Sequence, residues 1–259
     1  MTIELTDKET LGRKRFCLAI DHVSKPQEAL DIAGELSDFF AFVKTGSTVH
    51  TKACEEGMPI VRMLYKQGIE SFLDLKFHDT PDQVYGSARA AVYPGVAMFN
   101  MHISSGEKAC REAVRGVYDG AAERKIDRPL LIGVTELTSI DDAELAKQGL
   151  NVKFDDLVLR RAELAREWGL DGIVCPASKA GELEKRFGKW TYVTPGISHG
   201  GVQNVGQKQV TTVESVAQAS QNAILVIGSA LLGTKKDPKP RETWRPTAYE
   251  MLQIMAKYV

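Results

Sequence analysis

Apolar positions along the chain fall into two alternating kinds of segment. Short runs dense in β-branched, aromatic and leucine residues recur as RFCLAID (15–21), FAFVKTG (40–46), SFLDLK (71–76), AMFNMH (97–102), LLIGVTE (130–136), GIVCPA (172–177), TYVTPG (191–196) and ILVIGS (224–229). Between them lie stretches whose apolar residues return every three to four positions, such as PQEALDIAGELSDF (26–39) and DDLVLRRAELAREWG (155–169), the second closing on Gly169 as helices often do. Strand, helix, strand at this spacing predicts parallel strands joined by crossover helices. Eight such units predict a single-domain α/β protein, a (β/α)8 TIM barrel over 15–259 preceded by an N-terminal arm over 1–14. A doubly wound open sheet is the alternative. Closure is favoured because no GxGxxG turn follows the first strand and nearly every strand run ends in a polar or special residue. In a barrel those tips, Asp21, Lys44, Lys76, His102, Thr135, Pro195 with Gly196, and Ser229, converge on one mouth.

One run breaks its own pattern. In SFLDLKFHDTP (71–81) strand alternation puts Phe72, Asp74 and Lys76 on one face and Leu73 and Leu75 on the other, so opposite charges share an inward wall. Buried charges are costly unless paired, so the pair is either an internal ion pair or a group that meets a ligand. With Lys44 and Asp79 at the same mouth, two lysines and two aspartates can alternate, the carboxylates keeping both amines protonated. A fixed ammonium beside carboxylates can protonate a developing carbanion, and a carboxylate next to a bound anionic group favours that group's departure. The reaction this suggests is decarboxylation.

The sequence DLKFHDTP (74–81), with AID at the first strand, FVKTG at the second, VTELTS after the fifth, VTPGI at the seventh and VIG at the eighth, resembles the orotidine 5'-monophosphate decarboxylase family from about residue 15 to 240. The resemblance implies that Lys76 protonates C6 of the pyrimidine, that Asp74 faces the leaving carboxylate, and that Lys44 and Asp21 hold ribose hydroxyls. It implies that Thr138 and Ser139 meet the pyrimidine edge, that Pro195 lies in the substrate site, and that Gln207 links base and phosphate. Asp79 and Thr80 are expected to reach into a neighbouring subunit's site, hence a homodimer. No cofactor and no metal are implied. Phosphorylated keto-sugar decarboxylases share the aspartate-lysine signature but use magnesium, and VTELTS and TPGI look like the nucleotide enzyme.

Two positions depart from the family. Bacterial members usually carry arginines after PGI and after VIG to grip the phosphate, whereas this chain has Ser198 and Ser229. Each such contact contributes roughly 1.5–3 kcal/mol, so losing both weakens phosphate binding by roughly two to four powers of ten. Either Gly228, Ser229 and nearby His199, Lys208, Lys235 or Lys236 substitute, or the substrate is an unphosphorylated or modified orotidine-like compound, or the protein binds nucleotides without turnover.

Composition changes the picture little. Net charge is −1 with signs interspersed, so no nucleic-acid or membrane partner is expected and a small-molecule nucleotide is. The first residues, MTIELTDKETLGRK, lack an apolar core, and no apolar run approaches a membrane span, so the expectation is a cytoplasmic protein. Cys17, Cys54, Cys110 and Cys175 have no CxxC spacing and read as reduced and inert. His22, His50 and His78 show no metal spacing, while His102 could line the pocket. The irregular 197–212 stretch has the length and composition of a functional loop, often a lid.

Overall fold

A computed structural model describes residues 3–21, 23, 25–199 and 211–259. Its strands are β1 (Phe16–Ala19), β2 (Phe42–Gly46), β3 (Glu70–Phe77), β4 (Val96–His102), β5 (Leu130–Val134), β6 (Gly172–Val174), β7 (Thr191–Thr194), the two-residue β8 (Ile197–Ser198) and β9 (Thr211–Thr212), and β10 (Ala223–Ile227). Eight of them close a barrel in the order β1-β10-β7-β6-β5-β4-β3-β2, with every neighbouring pair parallel. The closed sheet excludes the doubly wound alternative.

The helices are α1 (Asp7–Arg13), α2 (Pro26–Leu36), α3 (Ser47–Glu55), α4 (Ile60–Lys66), α5 (Pro81–Ala91), α6 (Glu107–Arg124), α7 (Asp142–Lys147), α8 (Phe154–Glu167), α9 (Ala180–Phe187), α10 (Val213–Ala219), α11 (Ser229–Leu232) and α12 (Trp244–Met255). None of the described helices is long and apolar enough to cross a membrane. Period-two alternation in the strands sorts their side chains into two cores. Cys17, Ala19, Phe72, Met98, Ile132, Val193 and Val226 fill the barrel interior. Their neighbours, including Leu18, Leu73, Phe99, Met101, Leu131, Ile173 and Leu225, pack outward under the helices.

Several strands stop short of the runs that predict them. β1 ends at Ala19, β5 at Val134, β6 at Val174 and β7 at Thr194, so Asp21, Glu136 and Pro195 lie in loops just past the ladder. Pro176 and Pro195 lack the N–H a ladder needs, which helps end β6 and β7 where they do. Within the expected 1–14 arm, Asp7–Arg13 is helical, opened by a Thr6–Glu9 capping box. It packs on α12 closely enough that a Cβ at Gly12 would lie 3.3 Å from both Leu252 and Met255. The last helix begins at Trp244, with Pro246 tolerated in its first turn. The proposed lid over 197–212 is described only at its ends, where Ile197 and Ser198 pair with Thr211 and Thr212. His22, Lys208 and Gln207 lie outside the described residues.

Candidate active site

At the C-terminal mouth the four charged groups form a chain. Lys44, on β2, pairs with Asp21 on one side and with Asp74 Oδ2 at 2.8 Å on the other, and Asp74 Oδ1 pairs with Lys76 Nζ at 2.6 Å. The order is therefore Asp21, Lys44, Asp74, Lys76. Within one chain the first aspartate of the array is Asp21 and not Asp79. Asp79 lies exposed just before α5, where its Oδ1 accepts from the Thr80 backbone N–H at 2.7 Å, and Thr80 is the exposed N-cap.

Burial alone would push the Lys44 ammonium toward neutrality, but the carboxylates of Asp21 and Asp74 outweigh it and raise the pKa. Burial likewise disfavours the Asp74 anion, yet Lys44 and Lys76 hold its carboxyl far below the usual carboxylate range. Asp74 is thus held as a carboxylate at neutral pH in a site where only 9% of its side chain meets solvent. Asp21 Oδ1 is buried and has no hydrogen-bond partner among the described residues. It lies against Gly46, where any Cβ would collide with that oxygen, so only glycine leaves room for Asp21 to reach Lys44.

β3 does not run straight to this point. Leu73 pairs with Phe99 and Phe77 with Met101, so three residues, Asp74 to Lys76, bulge opposite the single residue Asn100 of β4. Lys76 takes a left-handed conformation with φ 51, one of two non-glycine residues with positive φ among those described. That conformation costs an ordinary L-residue about 1–2 kcal/mol, strain of a kind that concentrates at functional sites. Asn100, 1% exposed, accepts the Lys76 backbone N–H on Oδ1 at 2.8 Å and donates from Nδ2 to Asp74 Oδ1 at 2.6 Å.

Lys44, Asp74 and Lys76 floor a cavity of about 220 Å3 walled by Phe72, Val134, Val174, Val193 and Val226 and bounded by Asn100, Glu136, Leu137, Thr138 and Pro195. Through Thr138 and Pro195 it adjoins a wider groove of about 770 Å3 along α7 and α8. Of the expected substrate contacts, Thr138 and Pro195 line the cavity, whereas Ser139 is an exposed residue of the β5–α7 loop. Ser198 is buried and its Oγ donates to the Thr211 carbonyl at 3.4 Å. Gly228 and Ser229 are half-buried at the start of α11. His199 meets Glu250 at 3.2 Å, and Lys235 and Lys236 are exposed.

Three site features escape the sequence reading. Asn100 is one. The pairing of Glu136, a residue expected at the mouth by its position, is the second: its Oε2 pairs with Arg161 of α8 at 2.6 Å, its Oε1 accepts from the Leu137 N–H at 2.8 Å, and Arg161 also donates to the Thr135 carbonyl at 2.7 Å. The ion pair thereby fixes the chain leading to Thr138. The third is the contact of the His102 and His78 rings, 5.3 Å apart, where burial and then His78 lower the His102 pKa. Cys17, Cys110 and Cys175 are buried, with the last two thiols pushed up to about 12 by desolvation, while Cys54 is exposed on α3.

Comparison with known proteins agrees with this geometry. The profile described as "Orotidine 5'-phosphate decarboxylase / HUMPS family" matches residues 14–245. The orotidine 5'-phosphate decarboxylase of Vibrio vulnificus is 38% identical over 216 residues, 83% of this chain and 89% of its own length. That of Syntrophus aciditrophicus is 35% identical over 252 residues, 92% and 93% of the two chains. Among solved structures, the orotidine 5'-phosphate decarboxylase of Lactobacillus acidophilus superposes with a TM-score of 0.74 at 25% identity, covering 93% of this chain and 99% of that one. A barrel of this order, an alternating charge array at its mouth and these likenesses lead to one conclusion: the chain belongs to the orotidine 5'-phosphate decarboxylase / HUMPS family.

Proposed function

We propose that the protein decarboxylates orotidine 5'-monophosphate to uridine 5'-monophosphate without a metal or organic cofactor. The observation that carries the reading is the Asp21-Lys44-Asp74-Lys76 chain, whose last three members lie beneath an apolar cavity. A substrate carboxylate bound against Asp74 meets a fixed like charge. At 4 Å and an effective dielectric near 20 the repulsion is about 4 kcal/mol, relieved when carbon dioxide departs. The C6–carboxylate bond breaks and its electron pair stays on C6. Lys76 Nζ then gives C6 a proton, and the amine regains one from solvent. Lys44 stands where a cation would otherwise bridge the two aspartates, so the array balances its own charge.

The part-exposed Asp21 carboxylate suits a ribose hydroxyl, with Lys44 beside it, and Thr138, which lines the cavity, suits the base edge. Exposed Asp79 and Thr80, at the same rim, are offered to a second subunit, which makes the proposed working form a homodimer. Gln207 is proposed to link base and phosphate. The uncharged Ser198 and Ser229 favour a second reading, a paralogous decarboxylase whose orotidine-like substrate is unphosphorylated or modified.

Loss of orotidine monophosphate absorbance with the purified protein tests the reading. The expected outcome is turnover that survives a chelator and is lost in Lys76→Ala. Comparable kcat/KM on orotidine and on its 5'-phosphate would transfer the weight to the second reading.

A further inference from the structure

We infer that Asn100 is a positioning residue, its side-chain amide holding Lys76 in the left-handed backbone and Asp74 in register beneath the leaving group; this rests on the decarboxylase reading above. Between the pairs Leu73↔Phe99 and Phe77↔Met101, β3 has three residues where β4 has one. Asn100 Oδ1 receives the Lys76 N–H at 2.8 Å inside the bulge. The other end of the same amide donates to Asp74 Oδ1 at 2.6 Å, the oxygen that also receives Lys76 Nζ at 2.6 Å. One planar group therefore fixes the backbone of the proton donor and the carboxylate that orients its ammonium.

The surroundings make a packing role insufficient. Asn100 is 1% exposed on a strand where Met98, Phe99 and Met101 are fully buried, and an apolar side chain would fill that space without desolvating an amide. The two partners also fix the amide's orientation. A backbone N–H requires the oxygen on one side, and an anionic carboxylate requires the N–H2 on the other. No shorter side chain spans both, and a carboxylate in its place keeps the first bond while turning repulsive toward Asp74.

The test uses Asn100→Ala and the isosteric Asn100→Asp in the full chain. With Asn100→Ala, kcat is expected to fall on the order of 100-fold with KM within about threefold, the signature of misplaced reacting groups and not of lost binding. In Asn100→Asp the new carboxyl group faces Asp74, with Lys76 and Lys44 beyond it. While protonated it can still donate to Asp74, so activity is expected near about pH 5 and to fall at least about tenfold by about pH 8, a limb the unmutated protein lacks. A kcat within about threefold for Asn100→Ala, or an Asn100→Asp profile parallel to the unmutated one, overturns the inference. A crystal structure of unliganded Asn100→Ala is independent of turnover. Departure of residue 76 from positive φ, with a broken Lys76–Asp74 pair, supports the inference, and retention of both overturns it. If the unmutated chain turns over neither orotidine monophosphate nor orotidine, the decarboxylase reading falls and this crystallographic arm alone decides the positioning claim. If Asn100→Ala does not fold, the isosteric variant's pH profile decides it.

Discussion

Asp74 accepts from three donors at once, Lys44, Lys76 and Asn100, so no neighbour can be removed without leaving a buried charge short of a partner. Asp74→Asn strands two ammonium groups side by side and is expected to cost about 3–5 kcal/mol of stability at neutral pH. Because folding depresses the Asp74 pKa, its contribution is present above the unfolded value of about 4 and fades as pH falls toward the folded one. Lys44 is the converse case, contributing below about pH 10 and fading as pH rises through its raised value. Urea unfolding from pH 7 to pH 2 should show the gap between the unmutated protein and Asp74→Asn widest at pH 7 and closing below about pH 4. At this scale the sequence showed the charges and not all of their pairings. Alternation along β3 and the strand-tip rule bring Lys44, Asp74 and Lys76 together, but Asp21 and Asp79 are both tip aspartates, and only the path of the loops separates them. Asn100 had left a signal, a lone amide in the otherwise apolar AMFNM stretch. The positive φ of Lys76 had left none, since lysine has no preference for it.

Among the elements, β3 and the β5–α7 loop do most to shape the mouth. The bulge in β3 depends on a register shift against β4, which is a tertiary property that period-two reading of one strand cannot reveal. The loop depends on Glu136 and Arg161, 25 residues apart, and on a helix the arginine looks like one more solvated charge. Removing one partner of so enclosed a pair leaves the other uncompensated. Arg161→Met is expected to destabilise the fold by about 3 kcal/mol and to raise KM more than it lowers kcat, since the segment it secures leads to Thr138. Denaturant midpoints and steady-state kinetics on the same preparation check both halves. The remaining strands and long helices were legible because each has one apolar face of fixed period. β8, β9 and α11 were not, being two to four residues long and held by their neighbours.

For the whole molecule, the eightfold alternation of strand and helix sufficed to give the barrel, and the barrel sufficed to give the mouth. What a single chain does not display is the other side of the proposed interface. If Asp79 of each subunit completes the other's site, mixing inactive Lys76→Ala with inactive Asp79→Ala rebuilds one intact site in each mixed dimer. Random exchange then restores roughly a quarter of the unmutated activity. Recovery of none, under conditions where subunits exchange by sedimentation or native mass spectrometry, would leave Asp79 outside any shared site.

The barrel closes where β1 meets β10, pairing Phe16, Cys17 and Leu18 with Leu225, Val226 and Ile227. A nascent polypeptide emerging from the ribosome therefore carries an unfinished, open-edged sheet through most of its synthesis, because the first strand's outer partner is nearly the last to be made. Until then the bare edge of β1 is a template for stray chains. Synthesis that stalls before residue 223 should yield insoluble fragments and not a smaller working enzyme.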